Sequence, residues 1–305
     1  MPFDTGLALR SGDGRFGFRF GGGEGAALTG QDGFGLSSDY DLATGGANPY
    51  LGLASGAGYA AVDLKIGDRV TVSTGVSRQN AVMDLDRMSA QERQILGSID
   101  PYRATANTMV VTYQASDKLT ANIGYTLLNE DSALLGVRSL NPLDMRDGTT
   151  TDATTIGADY KVARGLTLSM TGTMGRTRPG DASQGIAVGE GGLISSAWQV
   201  AVAKSGVLDG RDQARLTFAQ PLHVERGRIG FTGVEVVDRR TGELGDVTQF
   251  VDFNGGERRF VAEAMYGRSM MDGAAEFSFF GRADLGADQR TQAAVTMGGS
   301  FRLGF

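Results

Sequence analysis

From Tyr50 to the C-terminus the sequence repeats one design: about ten residues alternating apolar and polar, a very short polar connection, about ten more alternating residues, then a long polar loop. A period of two places successive side chains on opposite faces of an extended chain, so each run predicts a β-strand with one apolar and one polar face. Leu119, Ala121, Ile123, Tyr125 and Leu127 share one face, against Thr120, Asn122, Gly124 and Thr126 on the other. Leu166, Leu168, Met170 and Met174 oppose Thr167, Ser169, Thr171 and Thr173 in the same way. Short connections fall at 67–68, 116–118, 163–165, 205–211 and 270–273, and long loops at 79–103, 129–151, 177–192 and 222–256, with a shorter one at 285–290. Short and long connections alternate, so all the long ones gather at one end.

Counted back from Phe305, strands are predicted near 291–305, 273–284, 256–268, 211–222, 192–204, 165–176, 152–162, 118–129, 104–115, 69–79 and 50–66. Phe16, Phe18 and Phe20, alternating with Arg15 and Arg19, supply one more, for about twelve. An even count lets the Phe16 strand close against the Phe305 strand. The expected organisation is an N-terminal linker or lumen segment over 1–12 and one barrel over 13–305. Two stretches depart from the pattern. Met88–Leu96 has helical spacing and a Ser89–Glu92 capping box, predicting a short loop helix. Arg228–Val237 alternates inside a long connection and predicts a projecting hairpin outside the wall.

Two features favour an inside-out barrel over a soluble sandwich. Runs of ten to twelve residues exceed the ordinary soluble strand and match a tilted bilayer crossing. The segregation of short turns from long loops matches the two sides of an outer-membrane barrel. The expected fold is therefore an all-β, transmembrane, antiparallel up-and-down barrel, with periplasmic turns, extracellular loops and a periplasmic C-terminus in the bacterial outer membrane. Composition agrees: of 305 residues 47 are Gly and 41 % are hydrophobic, too apolar for a disordered chain. With 29 basic against 35 acidic residues there is no basic stripe for phosphates, and nucleic acid is not an expected partner. The absence of Cys removes thiolate catalysis and Cys-type zinc sites.

The polar faces collect Asp63, Lys65, Asp159, Lys161, Arg215, Arg259, Glu263, Glu276, Arg282, Asp284 and Arg302, predicted to line the lumen. They serve either as solvated charges or as contacts for a threaded peptide. Trp198 and Tyr50, Tyr59, Tyr113, Tyr125, Tyr160 and Tyr266 are predicted on the lipid face as an interfacial girdle. No catalytic set emerges: His223 is the single histidine, beside Glu225 and Arg226, and nucleophile-elbow, zinc-helix and phosphate-loop motifs are absent. No catalytic residue, metal or cofactor is expected.

The terminal run of Phe301, Leu303 and Phe305 resembles the signal by which the outer-membrane assembly machinery recognises barrels, with Leu303 standing where an aromatic is commoner. The string Ala214–Glu225, ARLTFAQPLHVE, followed by a penultimate hairpin and a final strand, resembles the barrel domain of autotransporters whose passenger is a subtilisin-like serine peptidase. The likeness extends loosely from Tyr50 to Phe305. It implies a type V secretion translocator whose partners are membrane lipid, the assembly machinery and a covalently linked passenger N-terminal to this chain, which would then be an isolated barrel fragment. A stand-alone small porin or adhesin-like barrel is the alternative, and a soluble β protein the third reading.

Overall fold

In a computed structural model the described residues are 5–22, 48–81, 102–138, 148–180, 185–253, 256–270, 275–286 and 294–303. The wall is one antiparallel sheet of thirteen strands. In chain order they are β1 (Thr5–Arg10), β2 (Phe16–Gly22), β3 (Gly58–Ile66), β4 (Val70–Ala81), β5 (Tyr102–Gln114), β6 (Leu119–Asp131), β9 (Thr149–Ala163), β10 (Leu166–Pro179), β12 (Leu193–Ser205), β13 (Asp212–Arg226), β16 (Phe260–Met270), β17 (Ala275–Leu285) and β18 (Ala294–Leu303). Each pairs with the wall strand next in sequence, an up-and-down meander. Two short strands, β7 (Ala133–Leu134) and β8 (Val137–Arg138), form a small hairpin after β6. The strands β11 (Ile186–Val188), β14 (Arg228–Asp238) and β15 (Glu243–Asp252) form a separate three-stranded sheet. The hairpin expected around Arg228–Val237 thus exists as β14–β15 and stays out of the wall.

Most wall strands match the alternation to within a few residues. The connections 11–15, 67–69, 115–118, 164–165, 206–211 and 271–274 fall at one end, called here the turn end. The long connections fall at the other, the loop end. The wall differs from the expected twelve strands at its N-terminal side, because Thr5–Arg10, expected to precede the wall, pairs along β2 from Thr5–Gly22 to Arg10–Gly17. This run has only Leu7 and Leu9 as large apolar residues, too short an alternation to register as a strand. Among the described residues no pairing joins β1 to β18, and the sheet is open. The direction of the chain explains why: β1 and β18 both run from the loop end to the turn end, so they cannot meet antiparallel. The twelve strands from β2 to β18 have antiparallel edges, and β1 occupies the edge of β2 that such a closure would use.

The second departure is at the start of β3. Tyr50 was expected to open a strand, but Pro49–Leu53 is a short helix, α1, and β3 begins only at Gly58. Asn48 sits at the N-cap, its Oδ1 accepting from the Leu51 N–H at 3.2 Å, and Pro49 occupies the first helical turn, where its missing N–H costs nothing. Among the described residues no helix is long and apolar enough to cross a membrane, which says nothing of crossing by strands. The helix expected over Met88–Leu96 and most of the long loop expected over 21–49 lie outside the described residues.

Candidate functional site

The two faces of the wall have opposite chemistry. One carries exposed large apolar side chains, including Ile156 and Met174 at 62 % and Leu216 at 64 % exposure. The other carries small and polar residues that are buried, with Thr151, Thr177 and Ser195 at 0 %. A soluble protein hides the first kind and wets the second. Here the inner hydroxyls satisfy one another across strands: Thr108 with Thr126 at 3.1 Å, Thr151 with Thr177 at 2.8 Å, and Thr155 with Thr173 at 2.9 Å.

Helix α1 lies against this inner face at the loop end. Tyr50 is fully buried, packed with Leu51 and Ala54 against Ala104, Ala106, Leu128 and Ala153. Polar contacts fix it on several strands. The Asn48 Nδ2 donates to Thr126 Oγ1 on β6 at 2.9 Å, and Ser77 Oγ on β4 donates to the Ala54 carbonyl at 2.8 Å. The Tyr50 hydroxyl meets Ser195 Oγ on β12 at 2.8 Å. From β4 to β12 the sheet order has five steps, about 24 Å along a flat sheet, whereas a five-residue helix is about 7.5 Å long. One helix touches both β4 and β12 only because the sheet curls around it. Gly175 on β10 makes room: a Cβ there would fall 2.3 Å from the Tyr50 hydroxyl. Burial pushes the Tyr50 phenol up to about 12, with the Ser195 hydrogen bond pulling the other way, so the ring stays neutral at any physiological pH. Tyr50 and Tyr59 were expected on the lipid face; the first fills the interior and the second packs against the same inner cluster. Tyr113, Tyr125 and Tyr160 do lie on the exposed face.

At the same rim Glu130 is almost wholly buried and accepts from the Tyr102 hydroxyl at 2.9 Å, the Leu135 N–H at 2.8 Å and the Gly136 N–H at 2.7 Å. These bonds fasten the β7–β8 hairpin to the wall and give a buried carboxylate the donors it needs.

Of the charges expected in the lumen, the structure gathers Arg215, Glu263 and Arg282 as buried residues on neighbouring strands β13, β16 and β17. Glu263 is the Cα partner of both Thr217 and Arg282. Asp284 bridges outward, its two oxygens 3.3 Å from Arg282 and 3.3 Å from Arg259, and Arg259 lies just before β16 at the rim. On the inner face of β3, Asp63 accepts from Arg19 at 2.8 Å and from Ser73 at 2.6 Å. Asp159 accepts from Ser169 at 2.5 Å. Lys65 and Lys161 are exposed near the turn end. Glu276 and Arg302 are Cα partners on β17 and β18, and their side chains lie outside the described residues.

On the exposed face near the loop end, Trp198, Phe218 and Phe260 from β12, β13 and β16 form a cluster, Phe218 and Phe260 stacked at 5.6 Å. Gln220 beside it accepts from Trp198 Nε1 at 3.2 Å and Arg258 at 2.8 Å, and Arg258 reaches Glu225 at 2.7 Å. This network lies where β13 is irregular: the register against β12 slips between Ser196 and Trp198, in the segment containing Pro221. A lone sequence alternation carries no sign of it. His223 faces Ser196 across that irregular stretch. Among the described residues no group of acidic and His side chains is placed to hold a metal. Of the expected assembly residues, Phe301 is exposed on the outer face, Leu303 ends β18, and Phe305 lies outside the described residues.

No protein-family model matches the chain, and no curated protein matches it. Among solved structures it is similar to the toluene transporter TodX of Pseudomonas putida, with 12 % identity and a TM-score of 0.44 over 79 % of this chain and 72 % of that one.

Proposed function

We propose that the chain is an outer-membrane β-barrel that anchors and secretes a passenger joined to its N-terminal side, and that the barrel itself is not an enzyme. The observation that carries the membrane assignment is the inverted sheet: exposed Ile156, Met170, Met174, Leu216, Met297 and Phe301 outside, buried Thr, Ser and Gln inside. Only a hydrocarbon solvent makes that arrangement favourable, at roughly 25 cal/mol for each Å² of apolar surface taken from water. Secretion follows from the likeness of Ala214–Glu225 and the terminal strand to autotransporter barrels. A lumen of hydroxyls and short-range ion pairs gives an extended peptide polar surface without a strong binding site. In this account the assembly machinery reads Phe301, Leu303 and Phe305, the passenger is a serine peptidase, and α1 seals the loop end after passage. The exposed β11–β14–β15 sheet, with Phe231, Val234 and Leu244 open to its surroundings, favours a second reading as an adhesin-like barrel.

The test is to place a periplasmic leader and a small epitope-tagged reporter ahead of residue 1. Secretion predicts that the reporter on intact cells is cleaved by added protease. A reporter that stays protected while the barrel is assembled contradicts secretion and leaves an anchor or adhesin.

A further inference from the structure

At the loop end of the outer face, the ends of β10, β12 and β13 and the start of β14 enclose a recess of about 480 Å³. Its walls carry Arg176, Arg226 and Arg228 against one acid, Asp252, in a chain whose net charge is −6. Arg176 and Arg226 are both opposite Ile194 in the register, so three adjacent strands present them side by side.

The three guanidinium groups are not equally engaged. Arg228 pairs with Asp252 at 3.1 Å and lies over the Phe250 ring at 5.1 Å. Arg176 donates its Nε to the Gly191 carbonyl at 3.1 Å, and its terminal nitrogens have no ion-pair or hydrogen-bond partner among the described residues. Arg226 has no ion-pair or hydrogen-bond partner among the described residues. The other rim arginines differ: Arg178 is held by Asp152 at 2.6 Å and Arg258 by Glu225.

Directly below the recess the surface turns apolar. On β10 the outward series runs Met170, Met174, Arg176, so the arginine follows the last exposed apolar side chain by two residues, about 7 Å along the strand. Ile194 lies between the two arginines, and the Trp198 cluster lies four residues further down β12. A ligand fitting this surface has an anion at one end and a hydrocarbon tail at the other. A free anion would use the arginines and ignore the methionines.

We infer that this recess binds the phosphate-bearing headgroup of a membrane lipid, with Arg226 and the terminal nitrogens of Arg176 on the phosphate oxygens and the acyl chains along Met174 and Met170. Arginine suits the task because its planar fork meets two phosphate oxygens at once and its stem lies on apolar surface. The inference rests on the outer-membrane reading, which sets the loop-end rim at headgroup level.

The test is native mass spectrometry of the full chain refolded in detergent, with bisphosphorylated lipid A, its dephosphorylated form and inorganic phosphate as probes. One bisphosphorylated lipid A per chain is expected, with binding weakened at least about tenfold by dephosphorylation or by the double variant Arg176→Gln/Arg226→Gln. Millimolar inorganic phosphate is expected not to displace it; displacement would mean a free-anion site and overturn the lipid assignment. Equal binding by the double variant or by the dephosphorylated lipid overturns it as well. Heat-modifiable gel mobility of each sample separates the two levels: a chain that shows the shift but binds no lipid A defeats only this inference, whereas a chain without the shift defeats the membrane reading beneath it.

Discussion

Ile156→Arg is expected to lower the stability of the chain in lipid vesicles by about 2–4 kcal/mol, the cost of an arginine at the bilayer midplane on the outer face of a barrel. Ile156 lies near the middle of β9 with Ile123 and Gly172 as its Cα partners on either side, so no loop or rim offers the guanidinium a route to water. The same substitution at Leu244, which is as exposed but belongs to the projecting sheet, is expected to change stability by less than about 0.5 kcal/mol, as for an ordinary surface site. Equilibrium urea unfolding of both variants in vesicles makes the comparison. Two surface residues of equal exposure respond differently only if their surroundings differ. Equal, small effects would show that water bathes both.

Tyr50→Ala is expected to cost about 3–5 kcal/mol, the range for removing a buried aromatic ring from a packed interior. The ring is the piece of α1 that reaches furthest across the lumen, and Gly175 and Ser195 are shaped to receive it. Without it the helix keeps the Asn48 and Ala54 hydrogen bonds and the packing of Leu51 but loses its reach to β12, so the loop end should open and ion conductance in planar bilayers should rise. Tyr50→Phe keeps the packing and loses the hydroxyl's contacts with the Oγ and carbonyl of Ser195, about 1–2 kcal/mol, with conductance unchanged. If the alanine and phenylalanine variants behave alike, α1 does not seal the lumen.

Wall-strand positions from β4 to β18 were legible because alternation is a local property that survives any tertiary arrangement, whereas the short strands β7, β8 and β11 and the strand β15 fell inside stretches expected to be loops. The faces were legible with them: Thr126 inward and Tyr125 outward follow from a single register. Parity also placed Arg215, Glu263 and Arg282 together on the inside, since antiparallel neighbours keep their faces aligned. Tyr50 shows where periodicity fails. An apolar residue at the head of an alternating run fits a strand equally well, and the contrary signal was the pair Asn48–Pro49, a cap followed by a residue suited to a first helical turn. Glu130 was illegible for another reason, as its partners at Leu135 and Gly136 are backbone donors whose direction depends on the hairpin conformation. β1 was missed because six residues with two large apolar side chains fall below what alternation can mark.

The central claim is that the exposed apolar face is solvated by lipid. Gel mobility of the unmodified chain, refolded with and without detergent and run with and without heating, tests it most directly. A compact, faster-migrating form is expected, one that appears only in detergent and is lost on boiling. A stable, folded monomer in detergent-free buffer would contradict it, since water would then tolerate the face that carries Ile156, Met174 and Leu216.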